Sequence, residues 1–169
     1  TTFVSYYLVA WRTLAPVALQ PTDLYPRAPS GQRLAVRQHV LSPAGDTQLA
    51  GCEDGQPAVP ACVQMLPPGA LPVLPATGGG LADFSLTAVY APLRNGAYLL
   101  GELTKFVHVS PQRFEGVAVS SGGGGRCGVA VTVKGAAGEK VSIVTVDVNG
   151  TVCVTVATVG GAGRSRVDL

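Results

Sequence analysis

The acidic residues are the first candidates for catalysis in this sequence. Two carboxylic acids that project into one cleft can hydrolyse a glycoside. The ten acidic residues are dispersed, and most stand beside glycine or at the ends of predicted strands. Glu102 and Glu115 are the exceptions, since they lie in or near predicted strands. Solvated surface positions explain the other acids, so the sequence predicts no catalytic pair.

The sequence also contains no motif that indicates nucleophilic catalysis or cation binding. Neither His39 nor His108 accompanies a Gly-x-Ser-x-Gly turn, and His108 lies in an alternating segment that predicts an outward-facing strand histidine. The pair Glu53–Asp54 precedes a glycine but lacks the alternating carboxylates of a calcium loop. We therefore expect no catalytic residue, no cofactor and no metal ligand.

Three glycine-rich segments invite a phosphate-binding interpretation: 78–80, 122–125 and 160–163. None of them is followed by Lys-Ser/Thr and a helix, and none has Gly-x-Gly-x-x-Gly spacing within a βαβ unit. These segments are predicted to be turns.

The four cysteines fall into two well-separated pairs, which is typical of an oxidising compartment. Four cysteines allow three pairings, of which we expect the bonds Cys52–Cys62 and Cys127–Cys153. Free thiols are the alternative; a metal site is disfavoured because the chain has no Cys-x-x-Cys. Valine parity places Cys127 and Cys153 on opposite faces unless a β-bulge shifts the register near residues 143–146.

Aromatic and basic side chains supply the remaining binding candidates. Segment 2–11 is apolar on both parities, which predicts a central strand covered on both faces. Its aromatics could instead stack on a sugar. The residues to check for stacking are Trp11 in this segment and Tyr98 in the strand predicted at 97–103. Arg33, Arg37 and His39 share one face of the strand predicted at 34–41. They form either an anion-binding patch or an outer face that is solvated or contacts another domain.

Alternation at period two predicts an all-β chain with an antiparallel sandwich of roughly nine to eleven short strands. Further strands are expected at 70–75, 83–91, 97–103, 105–109 and 114–119. Segment 126–159 is predicted to be a three-stranded meander, whose second turn, Asn149-Gly150, suits type I′ geometry. The sequence Asn149-Gly150-Thr151 also matches an N-glycosylation acceptor.

Length and composition limit the class of protein. At 169 residues, the chain is expected to form a single β-sandwich domain over residues 1–169. A net charge of +2 is too small to indicate a nucleic-acid partner, and the chain has no apolar run long enough for a membrane helix. Charged residues make up only 13%, so we expect another domain or a partner to cover apolar surface. The chain begins with Thr-Thr, which predicts that it is processed or excised from something longer.

Three segments of the second half resemble the C-terminal β-domain of raffinose synthase-like proteins and related α-galactosidases: FSLTAVYAPL (84–93), NGAYLLGELTKF (95–106) and VTVKGAAGEKV (131–141). The resemblance covers about half of the chain. It implies a domain that follows a (β/α)₈ barrel carrying the catalytic aspartates. It assigns no catalytic residue to this chain.

These observations lead to one expected function and two rivals. The expected function is a non-catalytic C-terminal β-sandwich of a secreted carbohydrate-active enzyme, packed on a catalytic domain or chain of that enzyme. The rivals are a free-standing, lectin-like carbohydrate-binding module and a structural extracellular or cell-wall domain. Secretion is expected from the cysteine pairs and the acceptor sequence at Asn149.

Overall fold

The computed structural model describes residues 3–27, 31–41, 63–79, 84–102, 105, 107–119 and 127–169. The described chain is all-β, with twelve strands where nine to eleven were predicted, and contains one 3-10 helix. In chain order the elements are β1 (Ser5–Trp11), β2 (Val17–Ala18), the 3-10 helix (Pro21–Asp23), β3 (Ala35–Leu41), β4 (Gln64–Met65), β5 (Val73–Leu74), β6 (Phe84–Tyr90), β7 (Tyr98–Gly101), β8 (Phe114–Val119), β9 (Val129–Lys134), β10 (Lys140–Val146), β11 (Val152–Thr158) and β12 (Arg164–Asp168). All of the strand pairings are antiparallel, which confirms the predicted fold class.

The chain forms two compact units, one of residues Val4–Ala91 and the other of Pro92–Leu169 with Phe3. The first unit has a four-stranded sheet in the order β1-β6-β3-β4 and a two-stranded sheet, β2-β5. One face of the larger sheet supplies Tyr6, Val36 and Val89 to an apolar core. Strand β6 lies between two neighbours and is buried along nearly its whole length.

Strand β1 is an edge strand of this sheet and not a central one, which corrects the prediction from its two apolar faces. Among the described strands it pairs only with β6. Its apolar residues divide between two environments: Tyr6 is buried, whereas Val9 and Trp11 are 60% and 56% exposed. Apolar residues on both parities therefore indicate here one core face and one exposed face.

The second unit has two three-stranded sheets, in the orders β11-β10-β7 and β12-β9-β8, and is sandwich-like. Buried side chains from both sheets form its interior, among them Val131 and Val133 of β9 and Val141 and Ile143 of β10. Strand β8 has the predicted bounds. Lys105 and residues 107–109, predicted to belong to a strand, instead lie in the connection between β7 and β8.

The predicted three-stranded meander is wrong in its topology. All three strands form, but β9 pairs with β8 and β12, whereas β10 pairs with β7 and β11. The connection at residues 135–139 therefore carries the chain from one sheet to the other. Alternating side chains determine which face of a strand is buried, but they do not identify the strand beside it.

The turn between β10 and β11 differs from the predicted type I′ geometry. Gly150 has a φ of +87°, but Asn149 is not among the residues with positive φ. The Gly150 N–H donates to Asp147 O and the Asp147 N–H donates to Thr151 O, which closes a longer loop. Such a loop needs only one residue in the left-handed region, and glycine fills that position at little cost.

A register shift occurs near residues 143–146, but its extra residue is in the neighbouring strand. Val144 pairs with Gly101 and Thr145 with Leu99, so Leu100 of β7 is passed over. The pairing of β10 with β11 is continuous. The shift of valine parity within β10 reflects burial on both faces, since residues 143–146 are all buried.

Candidate functional site

A cavity of about 600 Å³ in the second unit is the candidate site. It lies beside the end of β7, the start of β8 and the connection between β9 and β10. Seven of its nine lining residues are polar or charged; the lining consists of Glu102, Lys105, Val107, Ser110, Gln112, Arg113, Lys134, Gly135 and Glu139. Its volume falls within the roughly 300–1,000 Å³ typical of small-molecule sites.

Arg113 holds two carboxylates at this cavity, an arrangement that we call the Arg113 clamp (Arg113, Glu102 and Glu139). Its Nε donates to Glu102 Oε2 over 2.9 Å, and its Nη2 donates to Glu102 Oε1 over 3.1 Å. Its Nη1 donates to Glu139 Oε2 over 2.9 Å and to the Lys134 carbonyl oxygen over 2.7 Å. Nη2 also donates to Glu139 Oε1. These bonds engage all five N–H groups of the guanidinium.

Short local turns position the three residues of the clamp. Arg113 directly precedes β8, where its backbone N–H donates to Ser110 O. Glu102 directly follows β7, and its N–H donates to His108 O over 2.9 Å. Glu139 ends the connection between β9 and β10, where its Oε2 also accepts the Ala136 N–H.

Glycine at position 135 is required for this geometry. An added Cβ there would lie 2.5 Å from Arg113 Nη1 and would also overlap Glu139 Oε2. Both of those atoms belong to the clamp, so an added Cβ would displace the ends of these two side chains and disturb the hydrogen bond between them. Gly135 therefore allows the backbone to approach the ion pairs closely.

Hydrogen bonding within the clamp favours the charged forms of Glu139 and Arg113. Hydrogen bonds from Arg113, and then from the Ala136 N–H, lower the pKa of Glu139 to about 2. Hydrogen bonds to Glu139 and Glu102 in turn raise the pKa of Arg113. A general acid near neutral pH needs a raised carboxyl pKa, so Glu139 is unsuited to that role.

Of these residues, the sequence singled out only Glu102. Its other acidic candidate, Glu115, is 45% exposed at its side chain and forms ion pairs with Lys134 and Arg164. Arg113 and Glu139 were missed because they are far apart in sequence and only the fold brings them together. The one local signal is the turn at 135–139, in which a glycine stands four residues before a glutamate.

The structure records Cys127 and Cys153 as free thiols, so the predicted bond between them is not formed. It nevertheless brings the two cysteines to the same place. Thr145 donates its hydroxyl hydrogen to Cys127 Sγ over 3.3 Å and is the cross-strand partner of Cys153. Burial raises the pKa of Cys127, and a hydrogen bond with Cys153 contributes to the rise. Cys52 and Cys62 lie outside the described residues, as do Glu53 and Asp54.

The two aromatic candidates differ in exposure. The ring of Trp11 lies at the end of β1 and is 56% exposed. Tyr98 is 4% exposed, so its ring is not available for stacking in this structure. Trp11 and Val9 lie on the same face of β1, and we call these two side chains the apolar strip.

The basic face of β3 is not simply a solvated outer face. Arg33 is exposed, but Arg37 is 1% exposed. Burial lowers the pKa of Arg37, and the proximity of Tyr90 partly offsets this effect. Burial raises the pKa of Tyr90 well above its ordinary value.

His108 and Asn149 complete the candidates. The histidine is fully buried, which corrects the prediction of an outward-facing side chain. Asn149 is exposed at the tip of the β10–β11 loop, a position compatible with a glycan. No group of three or more potential metal ligands occurs among the described residues. No helix in the same part of the chain is long and apolar enough to cross a membrane.

Comparison with known protein families, with curated proteins and with solved structures finds no match for this chain.

Proposed function

We propose that this chain is the non-catalytic β-sandwich module of a secreted carbohydrate-active enzyme and that it packs on that enzyme's catalytic domain. The resemblance of its second half to the C-terminal β-domains of raffinose synthase-like proteins and α-galactosidases suggests the type of enzyme. The observation that carries the proposal is the Arg113 clamp. One arginine binds both of the carboxylates at the cavity, and the lowered pKa of Glu139 leaves that group unsuited to act as a general acid.

The apolar strip supports the contact with a catalytic domain. Val9 and Trp11 are more than half exposed and belong to an edge strand. Exposed apolar residues that lie together often mark protein interfaces, and tryptophan is enriched among the residues that dominate binding energy. A partner that covers this strip would remove apolar surface from water.

Secretion is part of the same proposal. Asn149, the exposed acceptor asparagine, supports it. Cys127 and Cys153 support it as well, because they lie close to each other and an oxidising compartment would allow them to form a disulfide. Expression through a eukaryotic secretory pathway should produce a glycosylated chain whose mobility changes on enzymatic deglycosylation. Asn149→Gln is the control, because it removes the acceptor and should abolish that change.

The main test uses a barrel-type α-galactosidase that lacks its own C-terminal β-domain. We expect this chain to bind the barrel in an interface assay and to raise its melting temperature, whereas the chain alone should not hydrolyse p-nitrophenyl α-galactoside. The double variant Val9→Thr/Trp11→Ser should bind at least tenfold more weakly, about 1.4 kcal/mol. Val154→Thr/Val156→Thr is the matched control, because it changes two exposed valines on β11. Hydrolysis by the chain alone, or equal binding by both double variants, would contradict the proposal.

The exposure of Trp11 favours a second candidate, a carbohydrate-binding module that stacks a sugar on the indole ring. Under this alternative, the isolated chain binds immobilised glycans without any catalytic domain. Trp11→Ala then abolishes glycan binding while the far-ultraviolet circular dichroism spectrum stays unchanged. Glycan binding that survives this substitution would exclude a stacking role for Trp11.

A further inference from the structure

The Arg113 clamp determines which hydrogen-bonding groups the cavity can offer to a ligand. Arg113 carries a positive charge, but all five of its N–H groups already donate to Glu102, Glu139 and Lys134 O. The guanidinium therefore has no donor left for an anionic ligand. Its role at the cavity is to hold two carboxylates in a defined orientation.

Charge around the cavity disfavours ions of either sign. An anion would approach the carboxylates of Glu102 and Glu139. A cation would compete with Arg113 for those same oxygens and would also meet Lys105 and Lys134. A bound ion of either sign would therefore lose hydration while facing charges of its own sign on the wall.

Hydrogen-bonding capacity nevertheless remains on the cavity wall. Each oxygen of Glu102 accepts one bond from Arg113, although a carboxylate oxygen has room for two. Lys105 and Gln112 add exposed ammonium and amide donors. The wall thus offers charge-assisted acceptors and donors side by side, which suits a ligand group that both donates and accepts.

We propose that this cavity binds a neutral polyhydroxylated ligand, a monosaccharide unit or a cyclic polyol. A hydroxyl group donates to a carboxylate oxygen and accepts from Lys105 or Gln112 without bringing a net charge into the cavity. The volume of about 600 Å³ accommodates a small ring with its hydration water. The site consists only of residues of the second unit, so binding there depends neither on the apolar strip nor on a catalytic partner.

The test is a ligand-observed NMR titration of the full chain with D-galactose and with myo-inositol. We expect saturable binding with a dissociation constant on the order of millimolar, because the site is open and uses few hydrogen bonds. Lys105→Ala and Gln112→Ala remove donors from exposed side chains and should each weaken binding about tenfold. Lys140→Ala is the matched control, since Lys140 is also exposed but does not line the cavity.

Inorganic phosphate and calcium chloride test the competing ligand classes in the same titration. Saturable binding of phosphate that displaces the polyol would make the cavity an anion site and overturn the proposal. Absence of polyol binding, or equal polyol binding by Lys105→Ala, Gln112→Ala and Lys140→Ala, would overturn it as well. Trp11→Ala should leave polyol binding unchanged, which separates this site from a stacking site on β1.

Discussion

Thr145 donates its hydroxyl hydrogen to Cys127 Sγ over 3.3 Å in the buried interior of the second unit. Thr145 belongs to β10, whereas Cys127 lies two residues before β9, which is part of the other sheet. Cys153 lies opposite the same threonine on β11. The side chain of Thr145 therefore lies beside both cysteines, which are far apart in the sequence.

We predict that oxidised glutathione converts this thiol pair into a disulfide. Thiol–disulfide exchange forms the Cys127–Cys153 bond and releases two molecules of reduced glutathione, so the chain loses two hydrogen atoms. The partly exposed Cys153 should react first, because the thiolate is the nucleophile and burial raises the pKa of Cys127. The cross-link should raise the free energy of unfolding by about 3 kcal/mol, measured by urea denaturation with and without reductant.

The variant Cys52→Ser/Cys62→Ser isolates this pair from the other two cysteines. In that background, peptide mapping after oxidation should find residues 127 and 153 joined, and Cys153→Ser should abolish both the bond and the gain in stability. An oxidised chain whose two thiols still react fully with an alkylating reagent would contradict the prediction.

Gly135→Ala should disrupt the Arg113 clamp. The added Cβ would lie 2.5 Å from Arg113 Nη1, so the guanidinium or the Glu139 carboxylate must move. We expect a loss of about 1–3 kcal/mol in the free energy of unfolding, the usual cost of overpacking. Gly161→Ala is the control, because a Cβ at that position meets nothing within 4 Å. Equal stability of the two variants in urea denaturation would show that the clamp adapts without cost.

Gly101→Ala should be more damaging, because its clash is with backbone. Gly101 has a φ of +80°, and an added Cβ would lie 2.7 Å from the carbonyl carbon of His108 and from Val109 Cγ2. We expect a loss of about 3 kcal/mol or more, seen as a fall in melting temperature. Gly116→Ala provides the control: its φ is +66° but nothing lies within 4 Å, so only the conformational cost of about 1–2 kcal/mol applies.

Stability should depend on pH through Glu139. Its pKa falls from 4.5 to about 2 on folding, so the folded state binds this proton less tightly than the unfolded state does. The contribution is therefore present above pH 4.5 and is lost as the pH falls toward 2. The urea midpoint of Glu139→Gln should lie below that of the parent chain at pH 6, and the difference should shrink as the pH falls. A difference that stays constant between pH 6 and pH 2 would mean that this carboxylate is not the titrating group.

Some elements of this fold could be read directly from the sequence. The pattern FEGVAV places β8 at Phe114–Val119, as predicted, and the β10–β11 loop lies at the predicted Asn149-Gly150. These features depend on interactions between residues close in sequence: the alternation of side chains along a strand and the freedom of glycine at positive φ. The all-β class follows from the same local signals.

The position of β1 at a sheet edge and the separation of β9 from β10 could not be read in this way. A strand with apolar residues on both parities fits a central position as well as an edge position with exposed apolar side chains. Which strand pairs with which depends on the packing of residues far apart in the chain. A period of two contains no information about that choice.

The sequence by itself determined that the chain is all-β, where most of its strands and turns lie, and that Asn149 stands at a loop. Only the tertiary structure decided that Arg113 holds Glu102 and Glu139, and that Cys127 meets Cys153 beside Thr145. The physical reason is the range of the interactions. Alternation and turn formation act within a few residues, whereas these ion pairs and the thiol pair join residues that are far apart in the sequence.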